Sequence, residues 1–207
     1  MKCIGVSGTP GTGKTAVAES LATILQMPFI DLSRYVIENK LYLFYDRKRS
    51  SYVIDEERLR EDIKQLHHSV GGMVIASHYI EVLPKELFEL VFVLRRSPLE
   101  LINVLRQRGW PDTKIAENVE SELLSVCTIN AVEELGEELV VEVDVTSRSV
   151  AEVVDEILAI LYGEKPVYHG VRVDWLSVLS PHELDAILKY IESGRSTDTQ
   201  FAGRYSD

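Results

Sequence analysis

Gly8-Thr9-Pro10-Gly11-Thr12-Gly13-Lys14-Thr15 fits G-x-x-x-x-G-K-[ST], and its flanks restrict the fold as much as the motif does. Cys3 to Ser7 is a short apolar run of strand length, and Ala16 to Leu25 carries Val17, Leu21, Ile24 and Leu25 at helical spacing. Strand, glycine loop and helix follow in the order that a phosphate cradle requires. Glycines let the backbone curl so that its N–H groups converge on an anion, and the helix start adds the positive end of its dipole. The segment therefore implies a bound nucleoside triphosphate, with Lys14 reaching the outer phosphates and Thr15 holding a magnesium ion.

Further apolar runs at Pro28 to Asp31, Met73 to Ala76, Leu90 to Leu94 and Leu139 to Val143 alternate with helical patterns. That alternation predicts a three-layer α/β fold, a parallel sheet of about five strands with helices on both faces. Ligands of such sheets bind beyond the carboxyl ends of the strands, which is where the glycine loop falls. Ser149 to Tyr162 reads as a closing amphipathic helix. Gly163 and Pro166 then mark a boundary, which divides the chain into a main domain, 1–163, and a C-terminal helical extension, 164–207. Within the extension, Val167 to Trp175 reads as extended. Ser180-Pro181-His182-Glu183 opens a helix to about Ser193, and disorder is expected from Gly194 on.

The net charge of −11 argues against nonspecific attraction to nucleic acid over the whole surface. Two cysteines make no disulfide framework, and no apolar run has the length of a membrane span. A reduced, cytoplasmic setting without membrane contact is expected. A guanine-reading N-K-x-D is missing, since Asn39-Lys40 is followed by Leu41-Tyr42, which disfavours a GTPase. The stretch from Leu32 to Glu57, read as helix-rich, is long enough to bind a second substrate, which favours a small-molecule kinase.

Beyond the motif, the chain carries Asp31-Leu32-Ser33-Arg34, a loop from Tyr45-Asp46 to Asp55-Glu56, Ser77-His78 after the third strand and Val91-Phe92-Val93-Leu94-Arg95. Arg108-Gly109-Trp110 is followed by a run from Lys114 to Glu122. On these residues, 1 to 163 resembles the archaeal members of an adenylate-kinase-like ATPase family implicated in small ribosomal subunit maturation. Val173-Asp174-Trp175 resembles their C-terminal region more weakly.

The resemblance implies a P-loop nucleoside monophosphate kinase fold with an AMP-side insertion at about 32–57 and a short lid at about 107–117. It implies transfer of a phosphoryl group from ATP to AMP with Mg2+, giving two ADP, alongside ATPase activity. Lys14, Arg108 and His78 become the catalytic candidates. Gly11, Thr12, Gly13, Lys14, Thr15, Ala16 and Arg108 would hold ATP, Ser33 and Arg34 would hold AMP, and Thr15 would hold Mg2+. Partners would be a small-subunit ribosomal protein and pre-ribosomal RNA. Alternatives are an assembly ATPase switch with negligible kinase activity, or a kinase of another small acceptor. Taken alone, Arg34 reads also as a solvated charge at a helix start, Arg108 as one of two arginines ending a helix, and His78 as a satisfied structural histidine.

Two departures from that family stand out. Ala76 occupies a position, two before the histidine, where members commonly carry an acid that serves the magnesium shell, so either another carboxylate such as Asp31 substitutes or turnover is slow. Arg47-Lys48-Arg49 is basic where relatives are acidic, and reads either as a solvated loop or as an RNA or ribosomal-protein contact. The lid lacks a four-cysteine pattern, so no structural zinc is expected.

Overall fold

The computed structural model describes residues 1–47 and 51–202, with side chains to residue 195. Its main sheet is built from β1 (Cys3–Gly8), β2 (Phe29–Asp31), β5 (Val74–Ala76), β6 (Phe88–Arg95) and β7 (Val140–Asp144). They run parallel in the order β2-β5-β1-β6-β7, which puts the glycine-rich motif at the end of the central strand. The five apolar runs read from the sequence are these five strands, because a strand covered on both faces is apolar at consecutive positions.

Helices cover the two faces. On one, α1 (Lys14–Leu25) and α7 (Val150–Leu161) bury Leu21, Val153 and Ile157 against Val6, Phe92 and Val143. On the other, α2 (Leu32–Glu38), α3 (Glu56–Val70) and α6 (Val126–Leu135) enclose Ile75, Val91 and Val93. Ser149 caps α7 through a reciprocal box with Glu152, as its spacing predicts.

A third apolar cluster lies beside the sheet, where α4 (Pro98–Gln107) and α5 (Asp112–Leu123) meet α8 (Trp175–Val178) and α9 (Pro181–Ala202). Ile187 and Ile191 of α9 enter it with Trp175. Gly194 brings the two helices together, because a Cβ there would stand 2.5 Å from Ala116 Cβ. Tyr190 donates to Asp112 at 2.7 Å, and Arg195 pairs with Glu120. Ser180 and Glu183 cap the start of α9 reciprocally.

Three expectations need correction. The insertion is helical only over α2; beyond it, β3 (Tyr42–Asp46) and β4 (Ser51–Ile54) pair as an antiparallel hairpin. Tyr42, Phe44, Tyr45, Tyr52, Val53 and Ile54 are aromatic or β-branched, a composition that suits strands. Lys40, at φ 53°, turns the chain out of α2. Second, α9 continues through Gly194 to Ala202 where disorder was expected from Gly194; at Gly194 and Arg195, α5 supplies a close contact with Ala116 and an ionic partner in Glu120. Residues 203–207, included in that expectation, lie outside the described residues, as do Lys48 and Arg49 of the basic loop. Third, between α4 and α5 only residues 108–111 form a turn, and α5 itself occupies the rest of the expected lid. Val167 to Trp175 meets the sheet through a β-bridge, Gly170 to Val141, and through the side chains of Arg95 and Glu142.

Ile187 is fully buried in the third cluster, so Ile187→Ala is expected to lower stability by about 2–5 kcal/mol. Urea unfolding measures this, and an unchanged midpoint would mean that α9 adds nothing to the stability of the main domain.

Candidate active site

Two of the P-loop glycines leave no room for a side chain. Gly8 has φ 137° and a Cβ there would meet Leu94 O at 2.5 Å; Gly11 has φ 101° and a Cβ would meet Leu101 Cδ1 at 2.6 Å. Thr12 closes the loop, donating from its hydroxyl to Thr9 O at 2.9 Å. Helix α1 begins after Gly13 with no side-chain cap. The first N–H groups of a helix need acceptors, and at this loop a phosphate is the group that supplies them. Lys14, Thr15 and Ala16 form the first turn of that helix.

Burial pulls the Lys14 pKa below its ordinary value; the Asp31 carboxylate opposes this, and the Arg108 charge adds to it. Asp31 and Arg108 are thus each in electrostatic reach of Lys14. Arg108 caps the carboxyl end of α4, exposed, with Gly109 at φ 72° turning the chain towards α5.

His78 follows β5, and its pKa is pushed down to about 4, first by desolvation and then by the Lys14 charge, with Asp31 opposing. The imidazole is therefore neutral at pH 7 and free to accept or share a proton. Part of the ring remains open to a cleft of about 340 Å³ whose walls include Ser33, Val36, Ile37, Tyr52 and Tyr79. That size lies within the range of about 300–1,000 Å³ that small-molecule sites occupy. Tyr79 packs edge-on to His78 at 4.6 Å and donates to Ser33 Oγ at 3.3 Å, joining the strand end to α2. Tyr52 reaches the cleft from the hairpin, where its ring stacks near Tyr42 and Tyr45 at 4.4 and 5.0 Å.

Ser33 thus joins Lys14, His78, Asp31 and Arg108, whereas Arg34 does not. Its guanidinium is exposed, pairs with Glu38 at 3.0 Å and lines a separate groove with Phe29 and Asp31. Asp31 stands in register with Ala76 on the neighbouring strand, so its carboxylate lies beside the position that lacks an acid. One of its oxygens accepts from the Arg34 amide at 3.1 Å. Asp31 and the Thr15 hydroxyl are hard oxygen donors of the kind magnesium selects, so the residues present fit that ion.

A cleft of about 390 Å³ elsewhere is lined by Glu56, Glu81, Glu133 and Glu134 with Arg60 and Asn130. Four carboxylates there would repel phosphates, which excludes it as a nucleotide site.

Sequence reading missed two groups. Arg96 and Arg148 border the P-loop beside Gly13 and Val153, and Arg96 Nε is buried without a hydrogen-bond partner among the described residues. Arg95 and Glu122 are each 1% exposed and paired at 2.8 Å behind the loop. The signal for this pair was present: Arg95 ends an apolar strand, and Glu122 continues the Ile115–Val119 stripe of α5. A charge in an apolar stripe needs a buried partner. Cys127 lies between loop and histidine, 3.9 Å from Thr9 Oγ1 and 3.7 Å from His78 O. Burial, with Glu122 nearby, raises its pKa to about 11, so it remains a thiol.

Residues 4–125 match the family model described as an AAA domain. A relative from Saccharolobus solfataricus named "Putative adenylate kinase" is 42% identical over 153 residues, covering 74% of this chain and 80% of the relative. One of the same name from Methanocaldococcus jannaschii is 34% identical over 172 residues, covering 83% and 92%. Among solved structures, shikimate kinase from Bacteroides thetaiotaomicron superposes with a TM-score of 0.52 at 16% identity, over 78% of this chain and 98% of that one, a likeness of fold. Among the described residues no helix is long and apolar enough to cross a membrane.

The His78 ring is expected to titrate near pH 4 by NMR, and Lys14→Met should move that value upward by removing a repelling charge. Because the folded pKa lies below the ordinary 6.5, the stability tied to His78 is intact above pH 6.5 and declines as pH falls toward 4. His78→Asn should reduce the fall of the urea midpoint across that window.

Proposed function

Because the chain belongs to the adenylate-kinase-like P-loop kinases, we propose that it transfers the terminal phosphoryl group of ATP to AMP. The observation that carries this reading is His78, which lines the second cleft and also feels the charge of Lys14. A donor site and an acceptor site thereby share a wall.

ATP places its phosphates on the N–H groups of Gly11 to Ala16, with Lys14 against the transferred group. Arg96 and Arg148 flank the ATP side. AMP enters the cleft of Ser33, Ile37, Tyr52 and Tyr79, whose mixture of apolar wall and hydroxyls suits a base and ribose. Arg34 reaches the AMP phosphate by leaving Glu38, an exposed pair whose loss costs about 1 kcal/mol or less. An AMP phosphate oxygen then bonds to the γ-phosphorus as the bond to the β–γ bridging oxygen breaks, leaving two ADP. Lys14 and Arg108 stabilise the charge on the transferred group, and neutral His78 orients the acceptor oxygen through a hydrogen bond. Thr15 would hold magnesium, with Asp31 available to accept from its water, and the ion would supply neutralisation of phosphate charge. Water in place of AMP makes the same site an ATPase.

A second reading, an ATPase that times release of a small-subunit ribosomal protein or of pre-ribosomal RNA, draws support from the hairpin. Leu43 is 62% and Phe44 57% exposed there, beside Tyr45 and Arg47. Exposed apolar residues on a projecting hairpin favour a macromolecular contact. Retention of ribosomal proteins on immobilised protein, with and without ATP, distinguishes this role.

ADP formation from ATP with and without AMP tests the primary reading. AMP should stimulate it, GMP and CMP should do so less, and equal response to all three would reject adenylate specificity. Lys14→Ala should lower kcat by about 10²- to 10³-fold in a folded protein, and an unaltered rate would remove the P-loop mechanism. Asp31→Asn should raise the magnesium concentration for half-maximal rate about 10-fold, and adding Ala76→Asp to it should reverse the shift. An unchanged magnesium curve for Asp31→Asn would place the outer shell on another residue.

A further inference from the structure

Thr9 in the P-loop and Trp175 at the start of α8 meet on one carboxylate. The Thr9 hydroxyl donates to Glu122 Oε2 at 2.6 Å, and the Trp175 indole N–H donates to Glu122 Oε1 at 3.0 Å. Arg95 Nε and the Arg96 amide donate to that same Oε1 at 2.8 and 3.2 Å. Thr9 and Glu122 are 1% exposed and Trp175 is 4% exposed, so water is not at hand to replace a lost donor.

The C-terminal segment is fixed to this assembly at further points. Arg95 Nη1 donates to Val173 O at 3.1 Å, and the amides of Arg172 and Val173 both donate to Glu142 Oε2 at 2.6 Å. Glu142 in turn pairs with Arg95 and accepts from Thr128. A buried carboxylate held from both oxygens has one orientation, and each donor constrains where the others sit. Thr9 also passes its position on within the loop, since its carbonyl accepts from both the hydroxyl and the amide of Thr12.

We propose that Glu122 is a positioning residue for the P-loop and that the segment from Arg172 to Trp175 sets its position, so that loosening Trp175 weakens triphosphate binding. The inference rests on the P-loop being the ATP site. A merely structural network would change stability and leave the affinity of the folded protein alone; a positioning network couples Thr9 to Trp175 in affinity itself.

The test is ATP affinity by titration calorimetry on the full chain, for wild type, Thr9→Val, Trp175→Phe and the double variant. Valine keeps the shape of threonine without its hydroxyl, and phenylalanine keeps an aromatic ring without the indole N–H. Each single change is expected to raise Kd about 5-fold, and the double about 5- to 10-fold, against about 25-fold for independent effects. Thr9→Ser, which restores the donor, should bind as wild type does. Ile187→Ala, in the same apolar cluster with no bond to Glu122, should lower stability and leave Kd unchanged. If Thr9→Val does not fold, the contrast of Trp175→Phe with Ile187→Ala decides. Unchanged Kd in Trp175→Phe, multiplicative losses in the double variant, or an equal loss in Ile187→Ala would each overturn the inference. A wild type that binds no ATP would instead overturn the nucleotide reading on which it rests.

Discussion

The guanidinium of Arg95 and the carboxylate of Glu122, both 1% exposed, form the constraint around which the other elements are arranged. Bringing two charges out of water costs several kcal/mol for each ion, and their attraction repays this only when the remaining donors and acceptors are also met. Here they are met from several parts of the chain. Arg95 ends β6, Glu122 lies on α5, Glu142 on β7, Thr9 in the P-loop, and Val173 and Trp175 come from the segment after α7. Burial works against the charge on Arg95, but Glu122 and Glu142 outweigh it and hold the group firmly protonated. Removing one partner of such a pair typically costs about 3–5 kcal/mol, because the other is left buried and uncompensated. The elements therefore cannot shift independently.

On this side the P-loop is braced from several directions; the side facing the second cleft is lightly held. The hairpin of β3 and β4 contacts the body mainly through Tyr42 and Ile54, and its outer residues are exposed. Asp31 and Ser33 sit where β2 passes into α2, at the edge of the sheet, with Asp31 capping the helix. The P-loop, in contrast, follows the central strand, which is hydrogen-bonded on both sides. A stiff cradle beside a looser acceptor wall suits chemistry in which two charged molecules must be aligned after each has bound.

The fold was legible because each of its strands is apolar at consecutive positions, the form a strand takes when both faces are covered. The hairpin carries strand-like runs too, Tyr42 to Tyr45 and Tyr52 to Ile54, but they stand outside the alternation of strand and helix that marks the main sheet. In the site, Lys14 and Thr15 followed from a local motif. Arg34 did not reach the cleft, because Glu38, one helical turn away, captures its guanidinium. Glu122 and Arg95 each carry a local sign, a charge set in an apolar stripe, but which charge meets which is decided only after α5 has folded across the end of the sheet. The length of α9 depended likewise on contacts with α5 that lie far away in the sequence.

The order in which the chain is made gives the wide spacing of Thr9, Glu122 and Trp175 a meaning of its own. Residues of the phosphate loop leave the site of synthesis first, yet the carboxylate that braces them comes in the second half of the chain and the indole that steadies the carboxylate later still. An interrupted product would display the loop without its support. The bracing of the loop is thus completed last, once translation has passed the tryptophan and distant parts of the chain have found each other.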